Sequence, residues 1–299
     1  MLDIVIIGGG PAGLTAGLYS VRAGMDTLLF EEALPGGKMQ IIAQLENYPG
    51  MTSVDGMSIS DEMTKQAKLA GLKIVNKSIG FLSVDGGHVT VTAGGEKYEA
   101  KTAVIASGTV SKKLDVPGEK EFTGMGVSYC ATCDGPLYKR GRVAVVGGGN
   151  TAFTDALYLS RFAESVFLIH RRSEFRATEV LVKRAREKEN IEFITPAVIE
   201  SINGNEFVES VTYKRNDEET TLTLNVDAVF AAVGSVPSTS FVDEKILRTK
   251  EGFIITDEHM RTNIPYVFAA GDVRNTPLRQ VVTAASDGAV AAESAAAYI

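Results

Sequence analysis

One arrangement of hydrophobic and polar positions occurs twice along this chain. The apolar run Ile4-Val5-Ile6-Ile7 stops at Gly8-Gly9-Gly10, a helical segment opens at Pro11, and a second apolar run, Thr27-Leu28-Leu29-Phe30, follows. The same order returns 139 residues later. Arg142-Val143-Ala144-Val145-Val146 leads into Gly147-Gly148-Gly149, a helix opens at Asn150, and Val166-Phe167-Leu168-Ile169 closes the unit. Leu18-Tyr19 falls on Leu157-Tyr158. Each copy predicts a strand, a tight glycine turn, a helix and a second strand. Two further apolar strands end in glycine, 102–108 and 227–234, and predict one closing strand per domain. A last strand, 266–272, returns to the first domain. The expected fold is therefore α/β, with two Rossmann-like dinucleotide-binding domains, each carrying a small β-meander. The second domain, about 113–240, is inserted into an outer domain of 1–112 and 241–299, through turn-rich linkers around Pro117 and Pro237. Between the repeats, Gly71 to Tyr98 alternates Val and Thr around Asp85-Gly86-Gly87 and Gly94-Gly95, which predicts a β-meander after a helix ending over Gln66–Leu69. The charged run Lys183–Glu189 predicts a solvated helix face, and His88 a surface position.

The loop residues carry a mechanism. Gly8 permits the tight turn, Gly10 lets the backbone approach a pyrophosphate, and Gly13 lets the helix pack close to the strand. Pro11 and Ala12 open a helix whose N-terminus faces the phosphate charge. Gly147, Gly149 and Ala152 occupy these places in the second copy, with Asn150 and Thr151 opening its helix. The copies diverge at the end of their second strands. The first ends in Glu31-Glu32, a carboxylate placed to accept from a ribose hydroxyl. The second ends in His170-Arg171-Arg172, with Arg176 following, and guanidinium forks bind a 2′-phosphate bidentately. The first site is thus built for an adenosine with a free ribose, the second for NADP(H).

Composition then narrows the class. With 299 residues, a net charge of −7 and 44% hydrophobic content, the chain lacks the basic stripe of a nucleic-acid binder. No apolar run is long enough to span a membrane, and Met1-Leu2-Asp3 reads as the start of a strand; a reactive dithiol with no other cysteines suits a reducing compartment, so the cytoplasm is expected. Cys130 and Cys133 are the only cysteines, in Cys130-Ala131-Thr132-Cys133-Asp134-Gly135. A dithiol at this spacing stores two electrons as a disulfide, as many as a nicotinamide or a flavin carries. Zinc would need two more close ligands, and His88, His170 and His259 are scattered, so no metal is expected. Asp134 is the natural proton donor and acceptor for the dithiol, the alternative being a turn residue before Gly135.

The chain resembles the bacterial-type low-molecular-weight thioredoxin reductases over essentially its whole length. The resemblance rests on Gly8–Gly13, Glu46-Asn47-Tyr48-Pro49-Gly50, Cys130–Gly135, Gly147–Ala152, His170–Ala177, and Gly271-Asp272 with Arg279-Gln280. It implies FAD in the outer domain, NADPH in the inserted one, a homodimer, and thioredoxin or a thioredoxin-like protein as acceptor. It also implies that Asn47, Asp272, Arg279 and Gln280 contact FAD, Asp272 as acceptor for a ribityl hydroxyl. His170, Arg171, Arg172 and Arg176 would surround the 2′-phosphate. Cys133 would face the flavin, and Cys130 would attack the partner disulfide. Two departures stand out. Gly36-Gly37-Lys38-Met39 has lysine where the family commonly has glutamine, which puts a cation in the flavin region, and Phe153-Thr154-Asp155 replaces a commoner pair of glutamates. Two other activities remain open: a ferredoxin-dependent reductase, which would not need the arginines, and a small-molecule dithiol oxidase passing electrons to oxygen.

Overall fold

The computed structural model describes residues 1–299 except Ala43, Gln44, Glu46, Ser53, Cys130 and 216–219; for Ile41, Thr132 and Cys133 it describes the backbone alone. The chain divides into two compact units, Met1–Val110 with Val236–Ile299, and Ser111–Ser235.

In the first unit, β1 (Leu2–Ile7), α1 (Pro11–Arg22) and β2 (Thr27–Glu31) form the first βαβ repeat. The Asp55 carboxylate caps α2 (Gly56–Leu69) by accepting from Ser58 N–H. β3 (Lys73–Asn76) then pairs in parallel with β2. This corrects the expectation that everything from Gly71 to Tyr98 is meander. Only β4 (Ile79–Asp85), β5 (His88–Ala93) and the start of β6 (Glu96–Ile105) are antiparallel. A valine- and isoleucine-rich tetrapeptide reads alike in either setting, so pattern alone could not separate the two. β6 is long enough to serve two sheets in one: its first half pairs with β5, its second half with β1.

The chain leaves through β7 (Thr109–Ser111) and β8 (Val127–Ser128), and α3 (Ala131–Asp134) carries the dithiol turn. The second repeat follows as β9 (Arg142–Val146), α4 (Asn150–Leu159) and β10 (Ser165–Ile169). After α5 (Glu179–Arg186), β11 (Ile191–Ile194) joins β10. Of the charged run around the end of α5, only Ala185 is buried. β12 (Ala197–Gly204), β13 (Val208–Arg215) and β14 (Thr221–Asn225) form the second antiparallel meander. β15 (Ala228–Ala231) pairs with β9 and β8, giving a parallel sheet in the order β11-β10-β9-β15-β8. β16 (Ser235–Pro237) pairs with β7, β17 (Val267–Ala269) returns to β6, and α6 (Val281–Tyr298) ends the chain.

Strand periodicity sorts the cores. Ile4 and Ile6 point to the face covered by α1 and α6, Val5 and Ile7 to the other. Val143 and Val145 divide from Ala144 and Val146 in the same way in the second unit. α6 approaches α1 through small residues, Ala284, Gly288, Ala291 and Ala295; a Cβ at Gly288 would overlap the Ala12 carbonyl. That close contact brings the segment before α6, including Asp272, beside the first glycine loop.

Candidate active site

Both glycine loops lie at the carboxyl ends of parallel strands, where open α/β sheets take their ligands. Gly8 has φ +102°, and a Cβ there would run into the Ala106 carbonyl; Gly147 stands in the same relation to the Ala232 carbonyl. A Cβ at Gly10 or at Gly149 would meet nothing within 4 Å, so each loop leaves open space above its helix N-terminus. Neither α1 nor α4 has an acid in its first turn, which leaves both N-terminal dipoles available to an anion.

In the first unit this space belongs to a cavity of about 530 Å³. Gly8, Gly10, Pro11, Ala12, Glu31, Gly37, Lys38, Gly271, Asp272, Arg279 and Gln280 line it, with Ser107, Thr109 and Met39. The Glu31 carboxylate accepts from Gly9 N–H at 2.7 Å and from Ala33 N–H at 3.0 Å. Four lone-pair positions on a carboxylate leave it capacity for a further donor. Lys38 Nζ donates to Thr109 Oγ1 at 2.5 Å. Burial holds this ammonium below the usual lysine range, Asp272 opposing the shift and Arg279 adding to it. Burial pushes the Asp272 carboxyl up, against Lys38 and Arg279. Arg279 donates to the Asp272 carbonyl oxygen at 3.4 Å and lies 4.2 Å over the Phe253 ring. Asn47 is exposed and does not line the cavity; its Nδ2 donates at 2.8 Å to Oε1 of Gln280, which does. Glu46 lies outside the described residues. The sequence does not single out Thr109; the available signal is its place next to Gly108, just beyond β6.

In the second unit the Arg176 and Ala177 N–H groups donate to the Gly148 carbonyl at 2.8 and 3.1 Å. The arginine turn thus folds back onto the glycine loop, with Arg171, Arg172 and Arg176 exposed. Asn150 Oδ1 accepts from Thr178 N–H at 2.8 Å and braces the far end of that turn. His170 differs from its neighbours. It is buried with its ring against Gly148, and a Cβ at that glycine would overlap it. Burial, then the three arginines, holds its imidazole below the usual histidine range. At neutral pH it therefore offers a hydrogen bond rather than a charge.

Cys130 lies outside the described residues, as does the Cys133 side chain. The turn around them is anchored by Ala131, buried against Phe153, Ala156 and Leu159 of α4. Asp134 is partly buried; burial first, then the Asp134 and Asp227 carboxylates, pushes the Tyr138 phenol up. Among the described residues no cluster of His, Cys, Asp and Glu could hold a metal ion.

Residues 2–288 match the family model of pyridine nucleotide-disulphide oxidoreductases. The chain belongs to this family. Within it the relatives are thioredoxin reductases. That of Listeria innocua serovar 6a is 44% identical over 299 residues, covering 99% of this chain and 93% of the relative. That of Bacillus subtilis strain 168 is 39% identical over 304 residues, covering 99% and 94%. The crystal structure of Lactococcus lactis thioredoxin reductase in its FR conformation superposes with a TM-score of 0.94 at 39% identity, covering 100% of this chain and 99% of that one. The protein is thus a flavoprotein oxidoreductase of the thioredoxin reductase kind, with FAD and NADPH as cofactors. The residues present fit both. The first cavity is within the size range of cofactor sites, its glycine cradle would be filled by a Cβ at Gly8, and a carboxylate ends its second strand. The second loop has the same cradle with three guanidinium groups where the first has that acid. No helix among the described residues is long and apolar enough to cross a membrane.

Proposed function

We propose that the chain carries two electrons from NADPH to the disulfide of thioredoxin or a thioredoxin-like protein by way of Cys130 and Cys133. The observation that carries this reading is the arginine turn folded onto the second glycine loop, in the unit that also contains the dithiol. A ferredoxin-dependent enzyme or an oxygen-dependent dithiol oxidase has no use for that turn. In this reading Met1–Val110 with Val236–Ile299 holds FAD, and Ser111–Ser235 holds NADPH. Gly8, Gly10 and Gly13 admit the pyrophosphate of FAD, Glu31 accepts from its ribose, and Asp272, Lys38, Arg279 and Gln280 hold the remainder, with Asn47 behind Gln280. Gly147, Gly149 and Ala152 do the same for NADPH, and Arg171, Arg172 and Arg176 bind its 2′-phosphate while His170 fixes the loop.

When bound, FAD and NADPH supply the two-electron relay that reduces the Cys130–Cys133 disulfide. The chain's own residues do the rest. The Cys130 thiolate attacks one sulfur of the partner disulfide; the new S–S bond forms as the partner's breaks, and the departing thiolate takes a proton. Cys133, its proton passed to Asp134, then attacks the mixed disulfide at Cys130; the partner's second sulfur leaves as a thiolate and takes that proton from Asp134, so the partner departs as a dithiol. The Cys130–Cys133 disulfide is restored. The protein works as a cytoplasmic homodimer.

Cys133→Ser should trap a covalent mixed disulfide between Cys130 and thioredoxin, visible by non-reducing electrophoresis and mass spectrometry. Cys130→Ser should trap none. Full thioredoxin turnover by both variants would end this assignment.

A further inference from the structure

Among the described residues, Glu119 is the carboxylate outside the cofactor sites that accepts the most hydrogen bonds. Only 3% exposed, it accepts three hydrogen bonds, each 2.7 Å long. Leu114 N–H and the Tyr129 hydroxyl donate to Oε1, and Asp115 N–H donates to Oε2. Burial, then the bond to Glu119, pushes the Tyr129 phenol up to about 12, so it keeps its proton and remains a donor. Leu114, Val116 and Tyr129 pack on one core with Phe122 and Val127.

The three donors come from two segments with different duties. Leu114 and Asp115 belong to the stretch by which the chain enters the second unit, and Asp115 takes a left-handed backbone with φ +57°, rare for a non-glycine. Pro117 ties that stretch to β12 by accepting from Ile202 N–H at 2.9 Å. Tyr129 follows β8 directly and is bonded through its peptide to Cys130. One carboxylate therefore joins the linker to the stem of the dithiol turn.

We propose that Glu119 and Tyr129 are positioning residues for the thiol exchange at Cys130, the buried carboxylate tying the linker at Leu114 and Asp115 to the residue that leads into the dithiol. The proposal rests on the function argued above, because it assigns Cys130 the attack on the partner. Glu119 and Tyr129 act through the backbone that leads into the turn. They set the direction in which the chain enters the turn, so their loss should weaken the exchange step and spare the steps at the nucleotide loops.

The test uses the FAD-loaded enzyme and two variants, Tyr129→Phe and Glu119→Gln. Tyr129→Phe removes one donor and keeps the ring. Glu119→Gln keeps the shape but turns an NH₂ toward a donor. Anaerobic rapid mixing measures reduction of the flavin by NADPH, and steady-state turnover measures kcat/KM for thioredoxin disulfide. The expected result is a fall of about tenfold in kcat/KM for the disulfide, the factor carried by one hydrogen bond to a carboxylate. Flavin reduction by NADPH stays unchanged. Unchanged kcat/KM in both variants overturns the proposal. So does a parallel loss of both half-reactions together with the thermal midpoint, which marks a brace of the fold and nothing more. A wild-type enzyme that fails to reduce thioredoxin disulfide with NADPH strikes the proposed function instead, so the two failures are distinguishable.

Discussion

Asp155 shows how one side chain can hold a measurable part of this fold's pH dependence. It stands on α4, and burial alone pushes its carboxyl from 3.8 up to about 7. A raised carboxyl contributes stability below its unfolded value and loses it as pH rises through the folded value. Asp155→Asn should therefore be more stable than the parent above pH 7, by on the order of 1–4 kcal/mol, and gain nothing near pH 4. Denaturant melts at the two pH values check this; an equal difference at both would contradict it. The arginine turn gives a second prediction at this scale. Arg171→Ala or Arg172→Ala should raise the NADPH KM about tenfold or more and narrow the preference over NADH, since a hydrogen bond between charged groups is worth roughly 1.5–3 kcal/mol. Unchanged NADPH/NADH ratios in steady-state kinetics would reduce the cluster to a charged surface. His170, grouped with these arginines by sequence, is set apart by its burial, which a string of neighbouring polar residues does not reveal.

The strand–loop–helix element was the most legible part of the chain. Its signals are local: an apolar run, glycines at fixed offsets and a helix opening without acids. The same logic pointed to Glu31, the last residue of β2, and to Asp272, three residues past β17. What was not legible depended on packing between distant segments. Lys73–Asn76 joins β2 as a parallel strand, and nothing in its four residues distinguishes that from a hairpin strand. Thr109 meets Lys38 across 71 positions, and Asn47 meets Gln280 across 233, separations no local pattern spans. The elements also differ in tolerance. A Cβ at Gly13 would overlap the Gly8 carbonyl, whereas the second copy accommodates Ala152 in that place. Gly13→Ala should therefore purify with much less FAD and lose about 1–3 kcal/mol of stability. Ala152→Gly should keep its flavin. Absorbance spectra of the two purified variants check this, and full flavin content in Gly13→Ala would refute it.

At the scale of the whole molecule, the division of labour proposed for the two units calls for motion. In the function proposed above, the dithiol and the NADPH loop share Ser111–Ser235, while FAD takes the cavity of the other unit. Both must reach the flavin to within about 3–3.5 Å for transfer. Two groups fixed on one rigid body take turns at one target, so turnover should require rotation about the two crossings between the units, at Val110–Ser111 and Ser235–Val236, rather than at Pro117, which is held inside the second unit by Ile202. A covalent cross-link between the units should stop turnover, and reducing the link should restore it; undiminished turnover while locked would refute the rotation. The most direct test of the central claim mixes the FAD-loaded enzyme with NADPH and follows loss of its near-ultraviolet absorbance on adding thioredoxin disulfide. The account predicts rapid oxidation, slower with NADH, and one thioredoxin dithiol formed for each NADPH consumed. Reduction of thioredoxin by reduced ferredoxin but not by NADPH, or NADPH oxidation that needs oxygen and no disulfide, would contradict it.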